Sequence, residues 1–138
     1  VGAVAIDNQG NLAAATTTGG MTAKAPGRVG DAPLVGAATY AENGVCAVSA
    51  TGHGEYFIRV GVAKTICDRV KFLGESVGEA ALVALNEVAS LGGDGGVVVI
   101  DGQGNVDFVF NSAGMYRGEI SAKGATTAIF RDQPEGTE

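Results

Sequence analysis

Arg28 and Asp31 stand three residues apart in Ala25-Pro26-Gly27-Arg28-Val29-Gly30-Asp31-Ala32-Pro33, a segment bounded by proline and glycine. A guanidinium fork takes a carboxylate through two parallel hydrogen bonds, and a nearby carboxylate can take an ammonium. A stiff loop presenting both fits a zwitterion, such as the end group of an α-amino acid. The plainer alternative is a surface ion pair decorating a turn, which adds little stability. Thr51-Gly52-His53-Gly54-Glu55 is the second place, where a strand is expected to hand over to a helix. Glycines there let main-chain N–H groups approach a ligand, and the helix start adds positive potential. Such a turn could form an oxyanion hole, with Thr51 supplying a hydroxyl. Alternatively, Thr51 only caps the helix. His53 is the single histidine and has no evident partner, so it reads as a turn residue rather than a base. Thr16-Thr17-Thr18-Gly19-Gly20 closes a strand with three hydroxyls, which β-propensity and turn capping explain as readily as chemistry does. Val1-Gly2-Ala3-Val4 enters a strand with no preamble, as expected of a segment that follows a cut.

These segments need elements to hold them. Val1 to Asp7 and Leu12 to Thr18 are expected to form a hairpin across Asn8-Gln9-Gly10-Asn11. Val97 to Asp101 and Val106 to Asn111 form a second across Gly102-Gln103-Gly104-Asn105, a near-copy of the first turn. In that second hairpin Val106, Phe108 and Phe110 alternate with Asp107 and Asn111, so one face is buried. Val35 to Tyr40 and Val45 to Thr51 make another strand pair around Glu42-Asn43-Gly44. Ile58, Val62, Ile66, Val70 and Leu73 recur at helical spacing and predict one helix stopped by Gly74. Ser76-Val77-Gly78-Glu79 is a capping-box pattern opening a second helix, with Val77, Ala81, Leu85 and Val88 as its apolar stripe. A last strand is expected over Thr126 to Arg131, followed by a loose tail from Asp132 to Glu138. Four strands, two helices and about three strands suit an antiparallel sheet carrying a helix pair on one face. The run Val97-Val98-Val99-Ile100 looks buried on both sides, so a further sheet or chain is expected over the other face.

Composition limits the alternatives. The 138 residues include 46% hydrophobic and 17% charged residues, with a net charge of −6. That is enough for one domain with a real core. With 9 basic against 15 acidic residues and no basic cluster, nucleic-acid binding is not expected. No run reaches the roughly 18 to 20 apolar residues of a membrane span, and Val1 to Gly10 lacks the features of a secretory leader. Glycine supplies 23 residues, more than twice the usual share of about 7%, and most fall in turns between Val-, Ile- and Ala-rich stretches. Cys46 and Cys67 offer no zinc spacing and no disulfide framework, which points to a reducing compartment. A cytoplasmic protein without metal or cofactor is the expectation.

Taken together, these segments resemble the β subunit of the Thr-dependent, plant-type L-asparaginases, also called isoaspartyl peptidases, of the N-terminal nucleophile hydrolase class. The resemblance rests on Val1-Gly2-Ala3-Val4-Ala5, Thr16 to Thr22, Pro26 to Ala37 and Thr51 to Glu55. Gly92-Gly93-x-Gly95-Gly96 and Phe110-Asn111-x-x-Gly114-Met115-Tyr116-Arg117 extend it over nearly the whole chain. It implies an α+β fold, a four-layer αββα sandwich. Residues 1–131 would supply the β-subunit half, and 132–138 a flexible tail. It also implies an upstream α chain from the same self-cleaving precursor, an αβ heterodimer and its (αβ)2 assembly. The activity implied is hydrolysis of the side-chain amide of L-asparagine and of isoaspartyl dipeptides, small-molecule substrates. A Thr hydroxyl becomes a competent nucleophile when its own freed α-amine takes the proton. An α-amine titrates near pH 8, close to working pH.

Carried over by residue, the resemblance assigns Arg28 to the substrate α-carboxylate and Asp31 to its α-ammonium, with Gly54 helping through its carbonyl. Thr51 and the Gly52 N–H would form the oxyanion hole, and Thr18 would hydrogen-bond the nucleophile. That nucleophile falls immediately before Val1, outside this sequence, so the chain alone is expected to be inactive. Two alternatives stand beside this reading. One is the sister glycosylasparaginase branch, disfavoured by the expected lack of a disulfide and by His53, where that branch implies Asp. The other is a non-catalytic aspartate-binding or partner-chain domain.

Overall fold

A computed structural model describes residues 1–131; the tail expected over 132–138 lies outside the described residues. The chain runs β1 (Gly2–Ile6), β2 (Leu12–Thr16), β3 (Thr39–Glu42), β4 (Cys46–Gly52), α1 (Gly54–Val60), α2 (Val62–Leu73), α3 (Val77–Ser90), β5 (Gly95–Asp101), β6 (Val106–Phe110), β7 (Gly114–Ser121) and β8 (Gly124–Phe130). The fold is α+β with antiparallel sheets. A four-stranded sheet has the order β3-β4-β5-β6, and β1–β2 and β7–β8 are separate two-stranded hairpins.

The two near-copy turns fold alike because their chemistry is local. The Asp7 carboxylate accepts from the main-chain N–H groups of Gln9 and Asn11, both at 2.8 Å. Asp101 does the same with Gln103 at 2.8 Å and Asn105 at 2.9 Å. Each Asp also takes the side-chain amide of its Asn. These bonds, the Asn11 side chain first, hold the Asp7 carboxyl below its ordinary range.

The four-stranded sheet is apolar on both faces. On one side α2 and α3 pack Ile66, Val77, Ala81, Leu85 and Val88 against Val48, Val97 and Val99, all buried. On the other, β1–β2 lays Leu12, Val4, Ile6 and Ala14 over Ala47 and Ile100. Of the strand expected to be buried on both sides, Val97 and Val99 are buried under the helices and Ile100 under the hairpin, whereas Val98 is only half-buried. The hairpin is also tied down by Thr16 Oγ1, 2.6 Å from Ser49 Oγ on β4. Three layers result: helices, sheet and hairpin.

Several expected elements differ. The helix read as one unit through Ile58, Val62 and Ile66 is two, because Gly61 adopts φ 63 and its N–H bonds back to Phe57 and Ile58 carbonyls. Such a left-handed C-cap is cheap only for glycine. The capping box of α3 is present in both halves: Ser76 Oγ accepts from the Glu79 N–H, and Glu79 Oε2 from the Ser76 N–H. β2 stops at Thr16, leaving Thr17 and Thr18 beyond it, and β3 starts at Thr39 rather than Val35. β7 was not foreseen, since Gly114 and Gly118 interrupt its pattern.

The cysteine expectation is overturned. Cys46 on β4 and Cys67 on α2 form a disulfide with Cα atoms 5.6 Å apart. The bond joins sheet and helix layers inside the core, where both residues are buried. Unpaired thiols therefore give no argument for a reducing compartment. The absence of a disulfide likewise no longer separates the two asparaginase branches.

Candidate active site

The turn from Thr51 to Gly54 joins β4 to α1 and lies between two groups of the residues that the sequence singled out. At its α1 end, Gly54 packs directly on the Arg28–Asp31 loop. A Cβ added to Gly54 would lie 2.7 Å from Asp31 Oδ1, 2.9 Å from the Asp31 main-chain nitrogen and 3.3 Å from Arg28 Nη2. Only a residue without a side chain allows this approach. Arg28, Asp31 and Gly54 thus form one cluster.

Asp31 is 8% exposed, and its Oδ2 is buried without a hydrogen-bond partner among the described residues. Burial, outweighing its own main-chain N–H and the Arg28 charge, pushes its carboxyl above the ordinary value. A surface ion pair with Arg28 does not describe Asp31. Arg28 pairs with Glu55 rather than with Asp31: Nε lies 2.9 Å and Nη2 2.7 Å from Glu55 Oε1. Glu55's own main-chain N–H and the Arg28 guanidinium hold the Glu55 carboxyl below its ordinary range. Sequence reading gave Glu55 no role, although it closes the quoted Thr51-to-Glu55 motif.

At the other end of the turn, Thr51 and Gly52 are exposed at the C-terminus of β4. Thr51 does not cap α1: the N-cap is His53, and no side chain bonds the open N–H groups there. The ladder register pairs Gly52 with Gly95, and His53 donates its N–H to the Asp94 carbonyl at 2.9 Å. Because main-chain groups alternate sides along an antiparallel pair, the Gly52 N–H points away from β5, past where β3 has ended. A free donor and a hydroxyl on adjacent residues can stabilise a developing oxyanion.

Thr51 and Gly52 line an apolar cleft of about 1010 Å³ that also takes in Val1, Val98, Phe108 and Met115. Arg28, Asp31 and Gly54 are not among its lining residues, so the turn itself connects the two groups. Val1 and Thr17 exchange main-chain hydrogen bonds, Val1 N to Thr17 O at 3.0 Å and Thr17 N to Val1 O at 2.8 Å. Thr18 follows, with Oγ1 accepting from the Gly20 N–H at 2.9 Å. His53 does have a partner: its Nδ1 lies 3.1 Å from Asp94 Oδ1. That pairing spans 41 residues of sequence, and no local pattern signals it. No group of three or more His, Cys, Asp or Glu side chains among the described residues could hold a metal, and no helix there is long and apolar enough to cross a membrane.

Residues 1–129 match the family model described as asparaginase. An isoaspartyl peptidase of Escherichia coli strain K12 is 52% identical over 135 residues, covering 96% of this chain and 42% of that protein. A putative isoaspartyl peptidase/L-asparaginase of Dictyostelium discoideum is 49% identical over 87% of this chain and 34% of its own length. An isoaspartyl peptidase/L-asparaginase of Bos taurus is 46% identical over 83% of this chain and 37% of its own length. The chain thus spans about two fifths of the length of the relatives it matches. With nearly its whole described length matched, the chain belongs to the asparaginase family.

Proposed function

We propose that this chain forms the β-subunit part of an amidohydrolase that cleaves the side-chain amide of L-asparagine and the β-linked peptide bond of isoaspartyl dipeptides. The observation that carries the reading is the buried Asp31 carboxylate, with one oxygen unpartnered, beside the Arg28 guanidinium on the open face of Gly54. A buried anion of that kind seeks a cation, and the α-ammonium of an aspartyl group supplies one. Arg28 takes the α-carboxylate next to it, and the Gly54 carbonyl takes a further ammonium proton. Both substrate classes share this end group, whereas their leaving groups differ.

The nucleophile in this reading is a threonine immediately ahead of Val1. A residue there continues β1 opposite Thr18, because Val1 already pairs with Thr17. The position alternates to a non-hydrogen-bonded pair, in which side chains lie closest. Thr18 Oγ1 then orients the nucleophilic hydroxyl, and the α-amine accepts its proton. Attack on the amide carbonyl places negative charge on the carbonyl oxygen, which Thr51 Oγ1 and the Gly52 N–H stabilise. Collapse expels ammonia or an amino acid, protonated by the same amine, and water then releases aspartate from the acyl-enzyme. These steps use no metal or cofactor.

The uncovered cleft beside β1, floored by Val98, Val106 and Phe108, supports a second chain from the same precursor. Residues 1–131 then supply half of a four-layer sandwich, with an αβ unit pairing to (αβ)2. Cytoplasmic residence rested on unpaired thiols and is not carried into this reading.

Turnover of L-asparagine, a β-aspartyl dipeptide and a glycosylated asparagine by protein expressed from the complete reading frame tests the proposal. Hydrolysis of the first two supports it. Preference for the glycosylated substrate favours the sister branch, and aspartate binding with no turnover favours a binding domain.

A further inference from the structure

We infer that His53 is a positioning residue: its imidazole latches the Thr51–Gly54 turn to the start of β5 and so fixes the oxyanion donors. The inference rests on the amidohydrolase reading above. At the end of β4 the ladder pair His53/Asp94 is only half main-chain. His53 N–H donates to the Asp94 carbonyl at 2.9 Å, but the Asp94 N–H donates to His53 Nδ1 at 3.3 Å rather than to the His53 carbonyl. The His53 carbonyl is thereby left to accept from Tyr56 N at 3.0 Å, opening α1. The side chain thus stands in for its own main chain, and lets a strand turn into a helix without orphaning the Asp94 N–H. The residues on either side of this latch are Gly52, the oxyanion N–H, and Gly54, which touches Asp31.

The latch has a built-in alternative. Nδ1 also lies 3.1 Å from Asp94 Oδ1. An unprotonated Nδ1 accepts from the Asp94 N–H, whereas a protonated one can only donate, and the Asp94 carboxylate is the acceptor within reach. Protonation therefore exchanges a main-chain bond for an ion pair with a side chain that is itself more than half exposed. The other groups facing the imidazole are the Tyr56 ring, at 6.2 Å between centroids, and Glu55, whose carboxylate feels the His53 charge and is held by Arg28. Thr51 and Gly52 are then held by one tether fewer, while Arg28 and Asp31, on their own loop, keep their places. The effect should fall on kcat and leave KM nearly alone.

The test compares wild type, His53→Phe and His53→Asn in the enzyme produced from its full reading frame. Phenylalanine keeps a ring but accepts no hydrogen bond; asparagine offers an acceptor near the Nδ1 position and does not titrate. His53→Phe should lower kcat about tenfold, the effect of one lost hydrogen bond, with KM within twofold. His53→Asn, which restores an acceptor for the Asp94 N–H, should keep kcat within about twofold of wild type. The Asp94 amide resonance should move with His53 protonation in wild type and stay put in His53→Asn. An unchanged kcat in His53→Phe, or a kcat in His53→Asn as low as that of His53→Phe, overturns the latch. Absence of wild-type turnover overturns the functional reading itself, and the Asp94 resonance distinguishes that failure from a missing latch.

Discussion

Exchanging Asp31 for asparagine keeps the size of the side chain and removes its charge, and the structure gives the two consequences opposite signs. Asp31 is buried, one oxygen is unpartnered, and burial raises its carboxyl above the ordinary value. A carboxyl raised in the folded state holds its proton more readily there than in the unfolded chain. Its ionisation therefore costs stability, fully above the raised value and not at all below the unfolded one. At pH 7 Asp31→Asn should stabilise the free enzyme by about 1 kcal/mol, the low end of an unpaired group's desolvation cost, because the amide still leaves a polar atom unmet. Binding should move the other way. A charged hydrogen bond contributes roughly 1.5 to 3 kcal/mol, so KM should rise between about tenfold and a hundredfold. Thermal melts with and without L-aspartate read both effects. At 100 times its Kd, aspartate should stabilise wild type by about 2.7 kcal/mol. For a variant that binds a hundredfold more weakly, the same concentration leaves only about 0.4 kcal/mol. A variant that melts below wild type yet keeps the full aspartate shift would show that Asp31 is a structural residue and refute the ammonium assignment. In wild type, KM should fall as pH rises through the raised Asp31 value, since only the ionised carboxylate attracts the ammonium.

Thr51→Val should lower kcat by roughly a hundredfold to a thousandfold with little change in KM, as removal of an oxyanion donor does elsewhere; steady-state kinetics with a near-normal kcat would exclude the hydroxyl from that role. Replacing both Cys46 and Cys67 by alanine should cost roughly 3 kcal/mol, the loop-closure value for two cysteines 21 residues apart, read as a lower denaturation midpoint.

What could be read from sequence was mostly what is local. The Asp7 and Asp101 turns are built by donors two and four residues downstream, so their near-identical text carried them. The Ser76–Glu79 box and the apolar stripe of α3 are equally local. The Arg28–Asp31 loop suggested a candidate zwitterion site because two opposite charges sat in one stiff segment. Its burial was not legible, since that depends on Gly54 arriving from β4. Pairings across the fold left no trace in spacing: Cys46 meets Cys67 only because β4 and α2 pack face to face, and His53 meets Asp94 only through the β4–β5 register. The helix break failed for the opposite reason, because the apolar period continues through Gly61 and hides a single residue's conformation. β7 was obscured by its glycines, although its partner β8 was partly foreseen.

The central claim is that a threonine just ahead of Val1 is the nucleophile and is released by self-cleavage. Intact mass and N-terminal sequencing of every chain purified from the complete reading frame test it directly. The account predicts two chains, one of them beginning with threonine followed by Val1-Gly2-Ala3. An active protein that remains one uncleaved chain, or one whose residue before Val1 is not threonine, would contradict it.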